Sequence, residues 1–90
     1  MTLYLIEAYE DDLDDYDIDT TSIVGIASSI EKANQMIENW ADNKMGYYVD
    51  LEEVDTNCCD RAYKGIDKYG HNWTIDIWIT EKELDYGLEG

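Results

Sequence analysis

Residues 7–19 hold eight carboxylates, Glu7, Glu10, Asp11, Asp12, Asp14, Asp15, Asp17 and Asp19, and no Lys or Arg occurs anywhere in 1–27. Carboxylates at this density can do three kinds of chemistry: general acid–base catalysis, cation binding, or attraction of a basic partner. Catalysis has the least support. His71 is the single histidine and falls in a Gly-His-Asn turn. The chain has no G-x-S-x-G, H-E-x-x-H or G-x-x-x-x-G-K segment. A carboxylate pair of the glycosidase kind needs a cleft that so short a chain rarely encloses. No catalytic residue is assigned, and no enzyme is expected.

Calcium binding has a partial match. Asp15, Asp17 and Asp19 reproduce the D-x-D-x-D opening of an EF-hand loop, but Thr20 replaces the required glycine and Ile26 stands in place of the bidentate glutamate. The adjacent Cys58 and Cys59 cannot reach ordinary disulfide geometry with each other. Two thiols without a C-x-x-C or a histidine pair also fall short of a zinc site. They read as reduced thiols near a turn, and neither metal nor cofactor is expected.

The third possibility is imitation of a nucleic-acid backbone. In an extended chain alternate residues project to one side about 6.5–7 Å apart. Asp15, Asp17 and Asp19, with Glu10, Asp12 and Asp14, would then form rows of regularly spaced charge. Asp50, Glu52 and Glu53 would supply a second row. Tyr16, Tyr47, Tyr48 and Trp78 would add the buried aromatic contacts that charge alone does not provide. The expected partner-binding set is therefore Glu7, Glu10, Asp11, Asp12, Asp14, Asp15, Tyr16, Asp17, Asp19, Tyr47, Tyr48, Asp50, Glu52, Glu53 and Trp78.

The composition fits such a role. The chain has 90 residues, 22 acids against 6 bases, a net charge of −16, eight tyrosines, three tryptophans, and no proline or phenylalanine. A polyanion is repelled by DNA, RNA and anionic bilayers alike, so direct binding to any of them is not expected. No apolar run approaches the roughly 20 residues that span a membrane, and the N-terminus lacks signal-peptide features. A cytoplasmic protein is expected, monomeric or a small homo-oligomer. In size, charge and tyrosine content the chain resembles phage-encoded acidic inhibitors, among them anti-CRISPR proteins and DNA mimics that block uracil-DNA glycosylase or restriction enzymes. The resemblance implies a stoichiometric inhibitor that occludes the DNA- or PAM-binding cleft of a basic nuclease such as a CRISPR effector. An immunity or antitoxin-type partner of a basic toxin would use the same physics, and a calcium-binding acidic module is the reading from another class.

Elements must position these groups, and disorder is the first rival. Leu, Ile, Val and Phe make up about a fifth of the chain, near the limit below which high charge predicts disorder. The aromatic residues and the periodicity of the apolar ones argue for a folded domain, marginal at low salt because its own charge repels itself. Residues 2–9 read as a strand with Leu3, Leu5 and Glu7 on one face and Tyr4, Ile6 and Ala8 on the other. An acidic connection is expected over 10–19, and a β-branched strand over 20–27. Ser28 and Glu31 suggest a capping box, and Ile30, Ala33, Ile37, Trp40 and Ala41 make one helical stripe ending near Lys44 and Gly46. A third strand is expected over 47–54 with Val49 and Leu51 inward, then a turn over 55–60. Residues 61–80 resemble a hairpin whose last strand alternates Trp73, Ile75, Ile77 and Ile79 with Thr74, Asp76, Trp78 and Thr80. Residues 81–90 read as a frayed acidic tail of a single domain, 1–90. The ββαβββ order specifies an α+β fold, an antiparallel sheet of about five strands with one helix packed on one face and Trp78 on the uncovered side.

Overall fold

The computed structural model describes residues 2–15 and 19–83. The elements are β1 (Thr2–Asp12), β2 (Asp19–Ala27), α1 (Ile30–Lys44), β3 (Tyr48–Val54), β4 (Arg61–Asp67) and β5 (Asn72–Glu83). All strand pairs are antiparallel, in the order β2-β1-β5-β4-β3, so β5 is central and β2 and β3 are the edges. This is the α+β arrangement that the element order specifies.

The period-two alternation of β5 sends Trp73, Ile75 and Ile77 to the buried side. In β1 the same alternation buries Ile6 and Ala8, which pair across the ladder with Ile79 and Ile77. The helix lays Ala33, Ile37 and Ala41 on that surface, with Met36 and Trp40 at its margin. Ile30, the first residue of the stripe, is 47% exposed. Helix initiation differs by one residue from the expected Ser28: Ser29 is extended and its Oγ accepts the Lys32 amide at 3.1 Å. Glu31 in the first turn and Lys44 in the last complement the helix dipole.

Two irregularities change which residues face the core. In β2 the register shifts opposite Ile6 and Glu7, leaving Val24 unpaired. This bulge lets Ile23 and Ile26, three residues apart, share the uncovered face instead of alternating. In β3 a shift between Tyr48 and Asp50 buries Tyr48 and leaves Val49, expected inward, 68% exposed. The buried Tyr48 ring meets Trp73 and Tyr47 edge-on at centroid distances of 6.3 and 5.0 Å. Gly65 is required beside this turn of chain, because a Cβ there would stand 2.6 Å from the Asp50 carbonyl oxygen.

The strands also run longer than expected. β1 continues to Asp12, so 10–12 are strand and not connection. β5 continues to Glu83, where Thr2 Oγ1 donates to the Glu83 carboxylate, so 81–83 belong to the sheet and not to a tail. Tyr16, Asp17 and residues 84–90 lie outside the described residues. No helix among the described residues is long and apolar enough to cross a membrane.

Candidate interaction face

Strand parity sorts the expected contact residues onto two sides. On the helix-covered side, Glu10 and Asp12 are 5% and 1% exposed, against the expectation that both would line a surface row. Glu10 accepts from the Tyr48 hydroxyl at 2.6 Å and pairs with Lys44 at 3.1 Å. Burial, then the bond to Glu10, pushes the Tyr48 phenol well above its ordinary range. Tyr48 is therefore a core residue and not a partner contact. Asp12 pairs with His71 Nδ1 at 2.8 Å and accepts the Asp14 amide. Beside it, buried Asp67 takes the Tyr69 and His71 amides on Oδ1 and the Trp73 indole on Oδ2. Burial pushes the Asp67 carboxyl up, and these donors outweigh it and hold the group below its usual range. Every buried side-chain polar atom described has a partner, so this cluster is a closed network.

Glu53 also turns to the covered side. Arg61 forks onto it with Nε and Nη2 at 2.8 and 2.7 Å, and reaches Asn34 and Glu38 with Nη1. The hydrogen bond from Arg61 holds Glu53 below the ordinary carboxylate range. That fork removes Glu53 from the second acidic row.

The other side of the sheet has no covering element among the described residues, and the remaining acids gather there. Cross-strand pairing aligns Asp19, Asp11, Thr74, Lys64 and Glu52 across all five strands. The adjacent row is Thr21, Tyr9, Asp76, Ala62 and Val54, and the next is Ile23, Glu7 and Trp78. Asp50 pairs with Ile66 at the same end as Glu52. The face thus has an acidic end, from Asp19 to Asp50, and an apolar end containing Leu5, Ile23, Ile26 and Trp78. Trp78 is 39% exposed and Ile23 and Ile26 are 67% and 57% exposed. The two isoleucines were not foreseen, since only the Val24 bulge brings them together and nothing in the local sequence marks it.

Asp11 stands directly opposite Asp19. Like charges in that position oppose folding. The Tyr9 hydroxyl offsets part of the repulsion by donating to Asp19 at 2.8 Å, a bond that pushes the Tyr9 phenol up. At the acidic end a recess of about 290 Å³ is lined by Leu13, Asp50, Glu52, Lys64, Ile66 and Asn72, among others. Asp14 closes the nearby turn by accepting the Asn72 amide at 2.7 Å, and the Asp15 amide donates to the Asp12 carbonyl. Tyr47 is 37% exposed and sits against Tyr48, away from Trp78. The structure thus brings Glu7, Asp11, Asp19, Asp50, Glu52 and Trp78 to one face, and separates Glu10, Asp12, Tyr48 and Glu53 from it.

Among the described residues no group of three or more His, Cys, Asp or Glu side chains is arranged to hold a metal ion. Cys58 and Cys59 are free thiols, the first exposed and the second bonded through Sγ to the Arg61 carbonyl. Comparisons with protein-family models, curated proteins and solved structures found no match for this chain.

Proposed function

We propose that this chain is a stoichiometric inhibitor that docks the acidic end of its open sheet face on a basic nucleic-acid-binding surface, such as that of a CRISPR effector in the host cytoplasm. The observation that carries this reading is the pairing of Asp11 with Asp19 on an uncovered sheet, in one row with Glu52 and beside Asp76. Folding alone gains nothing from two carboxylates placed opposite each other, whereas a cationic partner gains from both. The face is broad and regularly spaced, with strands about 4.8 Å apart, so it meets a groove lined with Arg and Lys as a charged surface and not as a single point. The recess beside Asp50 and Glu52 suits an arginine side chain, whose stem would lie on Leu13 and Ile66. Trp78, on the same face, is the apolar anchor.

The test is competition between this chain and target duplex for a guide-loaded CRISPR effector. One chain per effector should displace the duplex, with affinity falling at least tenfold between about 50 and 500 mM salt. The triple variant Asp11→Asn, Asp19→Asn, Asp76→Asn should lose that competition while keeping its fold. Affinity that is flat across this salt range would exclude the electrostatic mechanism.

A further inference from the structure

The sheet carries one kind of cross-strand pair twice, once on each side. On the covered side Glu53 stands directly opposite Tyr63. Arg61, two residues before Tyr63, forks onto Glu53 at 2.8 and 2.7 Å, and its guanidinium carbon lies 5.9 Å from the centre of the Tyr63 ring. On the open side Glu7 stands directly opposite Trp78. The position that corresponds to Arg61, two residues before the aromatic, is Asp76. Arg61 is the chain's single arginine, so no residue of the chain repeats the fork there.

Glu7 is half-buried, and its carboxylate has no hydrogen-bond or ion-pair partner among the described residues. Its neighbours on the face are apolar or aromatic: Ile23 opposite it on β2, Trp78 opposite it on β5, and Leu5 and Tyr9 two residues away along β1. Lys64 and Lys82, the lysines of this face, occupy ladder positions four residues from the Glu7–Trp78 pair, about 13 Å along the strands. A carboxylate in this setting gives up water to its neighbours and returns nothing to the fold. The same apolar rim lowers the local dielectric and so strengthens the attraction for a cation that arrives with a partner.

We infer that the Glu7–Trp78 pair is the seat of one arginine side chain of a partner protein. The guanidinium forks onto the Glu7 carboxylate and lies over the Trp78 indole, while its stem packs on Ile23 and Leu5. Arginine is favoured over lysine because a planar fork meets the carboxylate and the ring face together, as Arg61 does with Glu53 and Tyr63. The inference rests on the docking of the open face proposed above. It adds a short-range contact at the apolar end, distinct from the long-range attraction of Asp11, Asp19 and Asp76.

An NMR titration of the isotope-labelled full chain with the end-blocked peptide Leu-Arg-Leu tests it, at about 150 mM salt to screen the acidic end. The expected result is millimolar binding in which the Trp78 indole and the amides of Glu7 and Ile23 shift most. Leu-Lys-Leu should bind at least about threefold more weakly. The citrulline peptide, which keeps the shape of arginine without its charge, should not bind. Glu7→Gln and Trp78→Leu should each weaken the arginine peptide about fivefold or more, whereas Asp11→Asn should change it by less than about twofold. Shifts confined to the acidic end, or equal binding of the lysine peptide, would overturn the inference. So would the absence of any shift up to about 20 mM peptide. Undiminished binding by Glu7→Gln would overturn it as well, and would leave Glu7 as a charge that only keeps the apolar patch from self-association. No effector takes part, so failure here strikes this site alone and leaves the duplex competition to decide the docking. Arginine binding without displacement of duplex would strike the effector reading instead.

Discussion

On the helix-covered side of the sheet three carboxylates, Glu10, Asp12 and Asp67, are buried, and donors from α1, β3, β5 and the 67–71 turn hold them in place. On the open side Asp11, Asp19 and Asp76 occupy equivalent ladder positions with far fewer donors, and two of them face each other. Glu10, Asp11 and Asp12 are consecutive, so strand parity alone divides them. A carboxylate run is therefore not a surface by virtue of its charge. Glu10 and Asp12 organise the interior, while Asp11 between them contributes to the field of the open face.

The largest expected effect breaks the two sides apart by stability. Glu10→Ala leaves the Tyr48 hydroxyl and Lys44 without their acceptor and should cost about 2–3 kcal/mol in chemical denaturation. Asp11→Asn, one residue away, relieves the repulsion from Asp19 and should change stability by no more than about 0.5 kcal/mol, in the stabilising direction if at all. Equal losses in the two variants would remove the distinction between the sides.

This division was only partly legible in the chain itself. The alternation of Trp73, Ile75, Ile77 and Ile79 and the stripe of Ala33, Ile37 and Ala41 report burial directly, because apolar side chains have one favourable side. Trp78 could be placed on the uncovered face by the same parity. The acids could not be sorted that way. Extending the alternation of Ile6 and Ala8 by four residues puts Glu10 and Asp12 inward, but a ten-residue stretch, 10–19, with seven acids around Leu13, Tyr16 and Ile18 reads more readily as a loop. What makes their burial tolerable lies far along the chain, in Lys44, Tyr48 and His71, and no local pattern announces such partners. Tyr48 and Val49 exchange places for a related reason: a bulge shifts parity by one residue, and periodicity has no means of registering it.

A smaller effect sharpens the comparison with a single oxygen atom. Tyr48→Phe removes the donor to buried Glu10 and should cost about 1–2 kcal/mol, because the carboxylate keeps its desolvation and loses a partner. Tyr9→Phe removes the matching donor to Asp19 on the open side, where water largely replaces it, and should lower the denaturation midpoint far less than Tyr48→Phe does. The same hydroxyl-to-carboxylate bond thus separates a structural contact from a surface one.

The smallest effect is one of pH. The hydrogen bond to Asp12 raises the His71 imidazole above its ordinary value; burial opposes it, and the charges of Asp12, Asp67 and Asp14 add to the rise. A histidine raised in the folded state contributes stability that is fully present below its unfolded value of about 6.5 and is lost as pH rises through the higher folded value. The melting temperature should therefore fall as the solution is taken from about pH 6 toward pH 8 at fixed ionic strength. His71→Gln should flatten that slope without abolishing folding, because the His71 side chain is 43% exposed and the backbone amide of residue 71 still reaches Asp67. A slope that survives in His71→Gln would mean that the covered carboxylates are held independently of the imidazole, and Asp12 would then resemble its exposed neighbours more closely than its burial suggests.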